Sequence, residues 1–225
     1  MKIPQLRPLQ QLIAIVLAGL PFVHDGPYLE AEQNRRLSIP RFTDEAIRAA
    51  REVKVPEGFR ADLFAAEPML SNPLAFCIDD WGRVWVAEAG RYGGTPPRPQ
   101  DDLASRTVQD RIAKHKRDHR NWKRFTTTQE RIRLIEDLDA DGRADRSTIF
   151  ADGFNRIEDG LAAGILARGK DVWFTCIPNF WHLRDINGDG RADTRGPYSS
   201  GYGVHTGYLG HDLHGPLFHV DGRIY

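Results

Sequence analysis

The 225-residue chain carries 31 basic and 31 acidic side chains, so bulk charge draws it neither to nucleic acid nor to a membrane surface. Its two cysteines, Cys77 and Cys176, exclude a disulfide scaffold, a multi-cysteine zinc site and a Cys-ligated iron–sulfur cluster. No apolar run reaches the roughly 18 residues that a membrane-spanning helix needs.

Residues 1–27 read as an export signal or leader. Lys2 and Arg7 precede the apolar run Leu12–Leu20, and Pro21 ends it. The pattern predicts a periplasmic or cell-envelope protein, with an N-terminal helix or an unstructured leader as the competing reading. Residues 28–58 form a linker with one short helix, from Thr43 to about Glu52. Thr43 is placed to cap it, Asp44 and Glu45 occupy the turn where the helix dipole favours anions, and Ala46, Ile47, Ala49 and Ala50 give it one apolar side.

From Phe59 to Tyr225 the texture changes to short β runs separated by Gly, Asp and Pro. The predicted strands are Arg60–Ala65, Leu74–Ile78, Val84–Glu88, Arg131–Glu136, Thr148–Ala151, Ala162–Ala167, Val172–Cys176, Phe180–Arg184 and Leu217–Val220. An insertion over residues 90–128 interrupts them. It opens with a Pro-rich loop, and residues 106–124 read as a helix carrying eight Lys/Arg and two Asp. A charge run of this kind marks a solvated face, so a nucleic-acid partner is not expected.

A repeat runs through the β region. DLDADGRAD at Asp137–Asp145 returns as DINGDGRAD at Asp185–Asp193, 48 residues later. GRVWVAE precedes the first copy, KDVWFTC the second, and DGRIY at 221–225 opens a third. A period near 50 residues with about four strands per unit is the signature of a β-propeller blade. The expected fold is therefore all-β: about two and a half blades of a six-bladed propeller, with a short N-terminal helix and a helical insertion. A ring needs at least four blades, so the sequence reads as a truncated propeller.

The two acidic nonapeptides carry the most specific chemistry. Each sets oxygen side chains at positions 1, 3, 5 and 9 and glycine at position 6. These are Asp137, Asp139, Asp141 and Asp145 in the first, and Asp185, Asn187, Asp189 and Asp193 in the second. The carbonyls of Arg143 and Arg191 add a further oxygen to each set. Oxygen-only ligation suits Ca²⁺, whereas an EF-hand would need a Glu at position 12, where Thr148 and Gly196 stand. The competing reading is an Asp-rich turn that satisfies its own backbone without metal. Five of the eight histidines, His182, His205, His211, His214 and His219, cluster late in the chain, as general bases or as ordinary loop residues.

GFRADLFAAEPMLSNPLAF, DDWGRVWVAEAGRY, ERIRLIEDLDADGRADRSTIFADGF, DINGDGRADTR and HDLHGPLFHVDGRIY together resemble the N-terminal region of the membrane-bound dehydrogenases common in planctomycete-type bacteria. The match covers about Val55 to Tyr225. These domains are similar to soluble glucose/sorbosone dehydrogenases, six-bladed propellers that often bind calcium and in some cases pyrroloquinoline quinone. The resemblance implies a sugar or alcohol substrate and an electron-accepting cytochrome. It also implies haem c in a further C-terminal domain, since this chain has no CxxCH. It assigns the general base to His211 or His214, with His214, next to Gly215, preferred. The alternative is a calcium-stiffened propeller that binds carbohydrate or protein without chemistry.

Overall fold

The computed structural model describes residues 12–14, 42–91, 127–156, 158–203 and 213–225. Most of the leader and of the basic insertion, together with His205 and His211, lies outside them. Helix α1 (Asp44–Glu52) forms where its capping signals place it. The Thr43 hydroxyl accepts the Ala46 N–H at 3.2 Å, Asp44 and Glu45 fill the first turn, Arg51 fills the last, and Ala46 is buried. Extended backbone at Val53 ends the helix.

Among the described residues ten short strands follow the chain: β1 (Leu12–Ala14), β2 (Ala61–Leu63), β3 (Pro73–Ile78), β4 (Val84–Ala89), β5 (Glu130–Glu136), β6 (Arg146–Phe154), β7 (Ala162–Arg168), β8 (Asp171–Cys176), β9 (Asn179–Arg184) and β10 (Thr194–Ser200). β3 to β6 make one four-stranded antiparallel sheet in chain order, and β7 to β10 make a second. β1 pairs with β2 in parallel. Trp85 and Trp173 occupy the second strands of their sheets, and each acidic nonapeptide joins the third strand to the fourth. The repeat in the sequence is thus a repeat of whole sheets.

The core lies between the sheets. Trp85, Ile132, Leu134 and Phe150 of the first pack against Ile165, Val172, Phe174 and Leu183 of the second. Phe154 bridges them, its ring 4.8 Å from Phe174 and 5.4 Å from Trp181. The other face of the first sheet is covered over Val84, Val86 and Ile135 by Phe64, Met69 and Leu70. β3 packs against β7, so the first strands of the two sheets are neighbours.

Four strand expectations are revised: Arg60–Ala65 shortens to Ala61–Leu63, Thr148–Ala151 lengthens to Arg146–Phe154, and the other two concern β10 and Leu217–Val220. β10 is not among the strands expected from sequence, since it contains Gly196 and Pro197, residues that are poor strand formers. It forms at the sheet edge with a register shift between Pro197 and Ser199, where a missing N–H breaks no inner ladder. Leu217–Val220 is not a strand: a single bridge, Phe218 to Ile224, holds the terminal hairpin.

Candidate functional site

The β3–β4 turn, the β7–β8 turn and both acidic loops sit at one end of the stacked sheets. Arg168 and Asp80 approach at 3.8 Å between the two turns. The two acidic loops fold identically. Asp137 accepts the N–H groups of Ala140 at 2.7 Å and Gly142 at 2.8 Å; Asp185 accepts those of Gly188 at 2.6 Å and Gly190 at 2.9 Å. The third side chain accepts the fifth N–H, from Asp141 to Asp139 at 3.1 Å and from Asp189 to Asn187 at 2.9 Å. The ninth accepts the second N–H, from Leu138 to Asp145 and from Ile186 to Asp193, both at 2.6 Å. Gly142 and Gly190 have φ of 88° and 82°, a conformation that a Cβ would strain.

The loops differ in the metal-ligating groups they gather. Asp137, Asp139 and Asp145 each bring one carboxylate oxygen to within 4.8 Å of the others. Asp141 is not in this group; its Oδ1 accepts the Arg143 N–H at 2.8 Å. In the second loop Asn187 replaces Asp139, and its amide donates to Asp189 and Asp193, each at 3.3 Å. An amide thus supplies there the positive partner that three carboxylates lack in the first loop. Unscreened, each carboxylate pair repels by about 1 kcal/mol even in water-like surroundings.

The three described histidines of the late cluster are dispersed. His182 on β9 meets Asp171 of β8 at 2.8 Å and stacks near Trp173. His219 lies in the terminal hairpin, 3.2 Å from Asp221 and against the Tyr225 ring. His214 is exposed. It lies toward the end opposite the acidic loops, because neighbouring Pro216 packs on Gly164 near the start of β7; a Cβ there would come within 2.8 Å of Pro216 Cδ.

That opposite end holds a buried polar network with no motif to announce it in the sequence. Arg91, at the start of the insertion, and Glu130, just beyond its end, meet at 3.1 Å with side chains 2% and 0% exposed. Glu130 also accepts the Ala162 N–H at 2.7 Å, and Arg91 donates to the carbonyls of Gly160 and Arg156. Burial pushes the Glu130 carboxyl up, against the opposing pull of Arg91. Nearby Asp159 is 2% exposed and accepts the Arg156 N–H at 2.8 Å; its carboxyl is likewise raised by burial. A raised carboxyl stabilises the fold fully below the ordinary carboxylate range and loses that contribution as pH rises through the folded value. The contribution of Asp159 to the thermal midpoint should therefore fall as pH rises above the ordinary carboxylate range. Asp159→Asn, which keeps an oxygen for Arg156, should remove part of that slope. An unchanged slope would show that Asp159 does not titrate in this way.

Both cysteines are free. Burial pushes the Cys77 thiol up to about 12, which keeps it from acting as a thiolate near neutral pH. Among the described residues no helix is long and apolar enough to cross a membrane.

No curated protein and no solved structure matches the chain. One family does, over residues 45–225, a span that takes in α1, both sheets, both acidic loops and the terminal hairpin. The chain belongs to the family described as Domain of unknown function (DUF7133).

Proposed function

We propose that the chain forms calcium-stabilised blades of a β-propeller in an exported, quinoprotein-like sugar or alcohol dehydrogenase. One observation carries the propeller part: two four-stranded meanders of the same order stack with their first strands adjacent and the same acidic loop at the same corner. Asp137, Asp139 and Asp145 would hold the calcium ion, with the carbonyl of Arg143 as a further oxygen; Asp185–Asp193 is the weaker site. When bound, the ion supplies charge neutralisation, which locks the β5–β6 corner. The loop lies at the end away from His214, so the ion's role would be structural.

Calorimetry and thermal melts in chelator-stripped buffer test this. At calcium a hundredfold above Kd, the midpoint should rise by the equivalent of about 2.7 kcal/mol. Asp139→Asn reproduces the Asn187 pattern of the second loop, keeps the oxygen that accepts the Asp141 N–H, and should weaken binding at least tenfold. Absence of both heat and midpoint shift would overturn the calcium reading.

The catalytic part rests on His214, whose imidazole would take the hydroxyl proton of the substrate. If sugar or alcohol oxidation is found in the complete protein, His214→Ala should lower turnover about 10²-fold. His219→Ala should leave it nearly unchanged. Equal losses would remove the assignment. The second reading is a non-catalytic, calcium-stabilised propeller that binds carbohydrate or protein, in which the same loops stiffen the sheets and His214 has no chemical role. Oxidation by the wild type that survives His214→Ala and His211→Ala would remove both residues as the general base.

A further inference from the structure

We propose that Asn187 is a site of spontaneous covalent modification, its side-chain amide lost to attack by the Gly188 backbone nitrogen. The inference stands apart from calcium and from catalysis.

Of the chain's six asparagines only Asn187 is followed by glycine. A residue after asparagine ordinarily shields its own backbone nitrogen with its Cβ, and glycine leaves that nitrogen open to the neighbouring side-chain carbon. Asn187 and Gly188 are both exposed in the second acidic loop. Gly188 has φ of 83°, and nothing lies within 4 Å of the place a Cβ would take. In the first loop Asp139 and Ala140 hold the same two positions, and Ala140 makes the turn with φ of 63°. The turn therefore accommodates a Cβ, and the open amide–glycine pair is particular to the second loop.

Three contacts around Asn187 suit the reaction. The Gly188 N–H donates to Asp185 Oδ1 at 2.6 Å, so a carboxylate already holds the proton that must leave the nucleophile. The Asp189 N–H donates to Asn187 Oδ1 at 2.9 Å, which polarises the amide carbonyl and stabilises negative charge developing on that oxygen. The amide nitrogen of Asn187 donates to Asp189 Oδ2 and Asp193 Oδ1 at 3.3 Å each, which sets negative charge beside the leaving nitrogen.

The step needs only the chain and water. The Gly188 nitrogen gives its proton to Asp185 and bonds to Asn187 Cγ. The Cγ–Nδ2 bond breaks, and the nitrogen leaves as ammonia with the proton that Asp185 returns through solvent. Water then opens the cyclic imide at either carbonyl, giving aspartate or isoaspartate at position 187. Nothing is oxidised or reduced. With aspartate there, Asp185 and Asp193 gain the third carboxylate that Asp139 supplies beside Asp137 and Asp145 in the first loop. Isoaspartate instead lengthens the backbone inside a turn held by the Gly188 and Gly190 N–H bonds to Asp185. Either product alters the loop that ties the two sheets together through the Ala192 N–H and the Phe150 carbonyl, at 2.9 Å.

Peptide mapping by mass spectrometry of the full 225-residue chain, held folded at neutral pH in reducing buffer, tests this. The peptide containing Asn187 should exchange the mass of NH₂ for that of OH at least about tenfold faster than peptides containing Asn155 or Asn179. Water enriched in heavy oxygen should leave its label at residue 187. Gly188→Ala copies Ala140 and should slow the loss at least about tenfold with an unchanged far-ultraviolet spectrum. Asp185→Asn keeps an oxygen for the Gly188 N–H and should slow it about tenfold or more. An Asn187 amide that persists as long as those of Asn155 and Asn179 would overturn the proposal. Equal rates in wild type and Gly188→Ala would overturn the backbone attack, and equal rates in wild type and Asp185→Asn would remove Asp185 as the base.

Discussion

Glu130→Ala should cost about 3–5 kcal/mol, the range for removing one partner of a buried ion pair. Glu130 is fully buried, its two oxygens accept from the Arg91 backbone and guanidinium and from the Ala162 N–H, and Arg91 is itself 3% exposed. Truncation leaves a guanidinium charge and two backbone donors in a dry interior. The residue also fastens the start of β5 to the start of β7, so the loss falls on the junction between the sheets as well as on the insertion's anchor. A thermal midpoint lower by roughly 10 °C or more is expected for a domain of this size. The double replacement Glu130→Leu with Arg91→Met should cost less than the sum of the single Glu130→Leu and Arg91→Met changes, because it leaves neither charge unpaired. A single-site loss below about 1 kcal/mol would show that water reaches the pair.

Phe154→Ala should cost about 3–5 kcal/mol by a different route, through lost transfer energy and the cavity left behind. Phe154 ends β6 in the first sheet, is 2% exposed, and touches Phe174 and Trp181 of the second. The Arg195 guanidinium also stands over its ring at 5.1 Å. The side chains around it come from two sheets whose backbones are fixed by their own ladders, so the site has little freedom to collapse. Phe154→Leu should recover most of the loss. Equilibrium urea unfolding with an unchanged m-value would confirm that the variant changes stability rather than cooperativity.

Local chemistry was legible in the sequence wherever it is decided within a few residues. Thr43 caps α1 because its hydroxyl reaches an N–H three residues on, and that needs no distant partner. The two acidic loops fold alike because position, oxygen and glycine recur together, and the 48-residue offset gave the period of the sheets. The strands of both sheets were readable from apolar runs between turns, β10 excepted, since a Gly-Pro edge strand is defined by its neighbour β9 and not by its own residues. Only the tertiary structure decided what lies between distant positions. Arg91 and Glu130 are 39 residues apart and became one buried pair when β4 and β5 closed their ladder. His182, grouped by sequence with His214 and His219, instead faces Asp171, because cross-strand register rather than spacing along the chain chooses a side chain's neighbours. The sequence alone determined the repeat and its turns, which depend on local backbone conformation. The three-dimensional packing determined which charges are buried together and which apolar faces remain open, because both depend on contacts the chain makes only after its sheets have stacked.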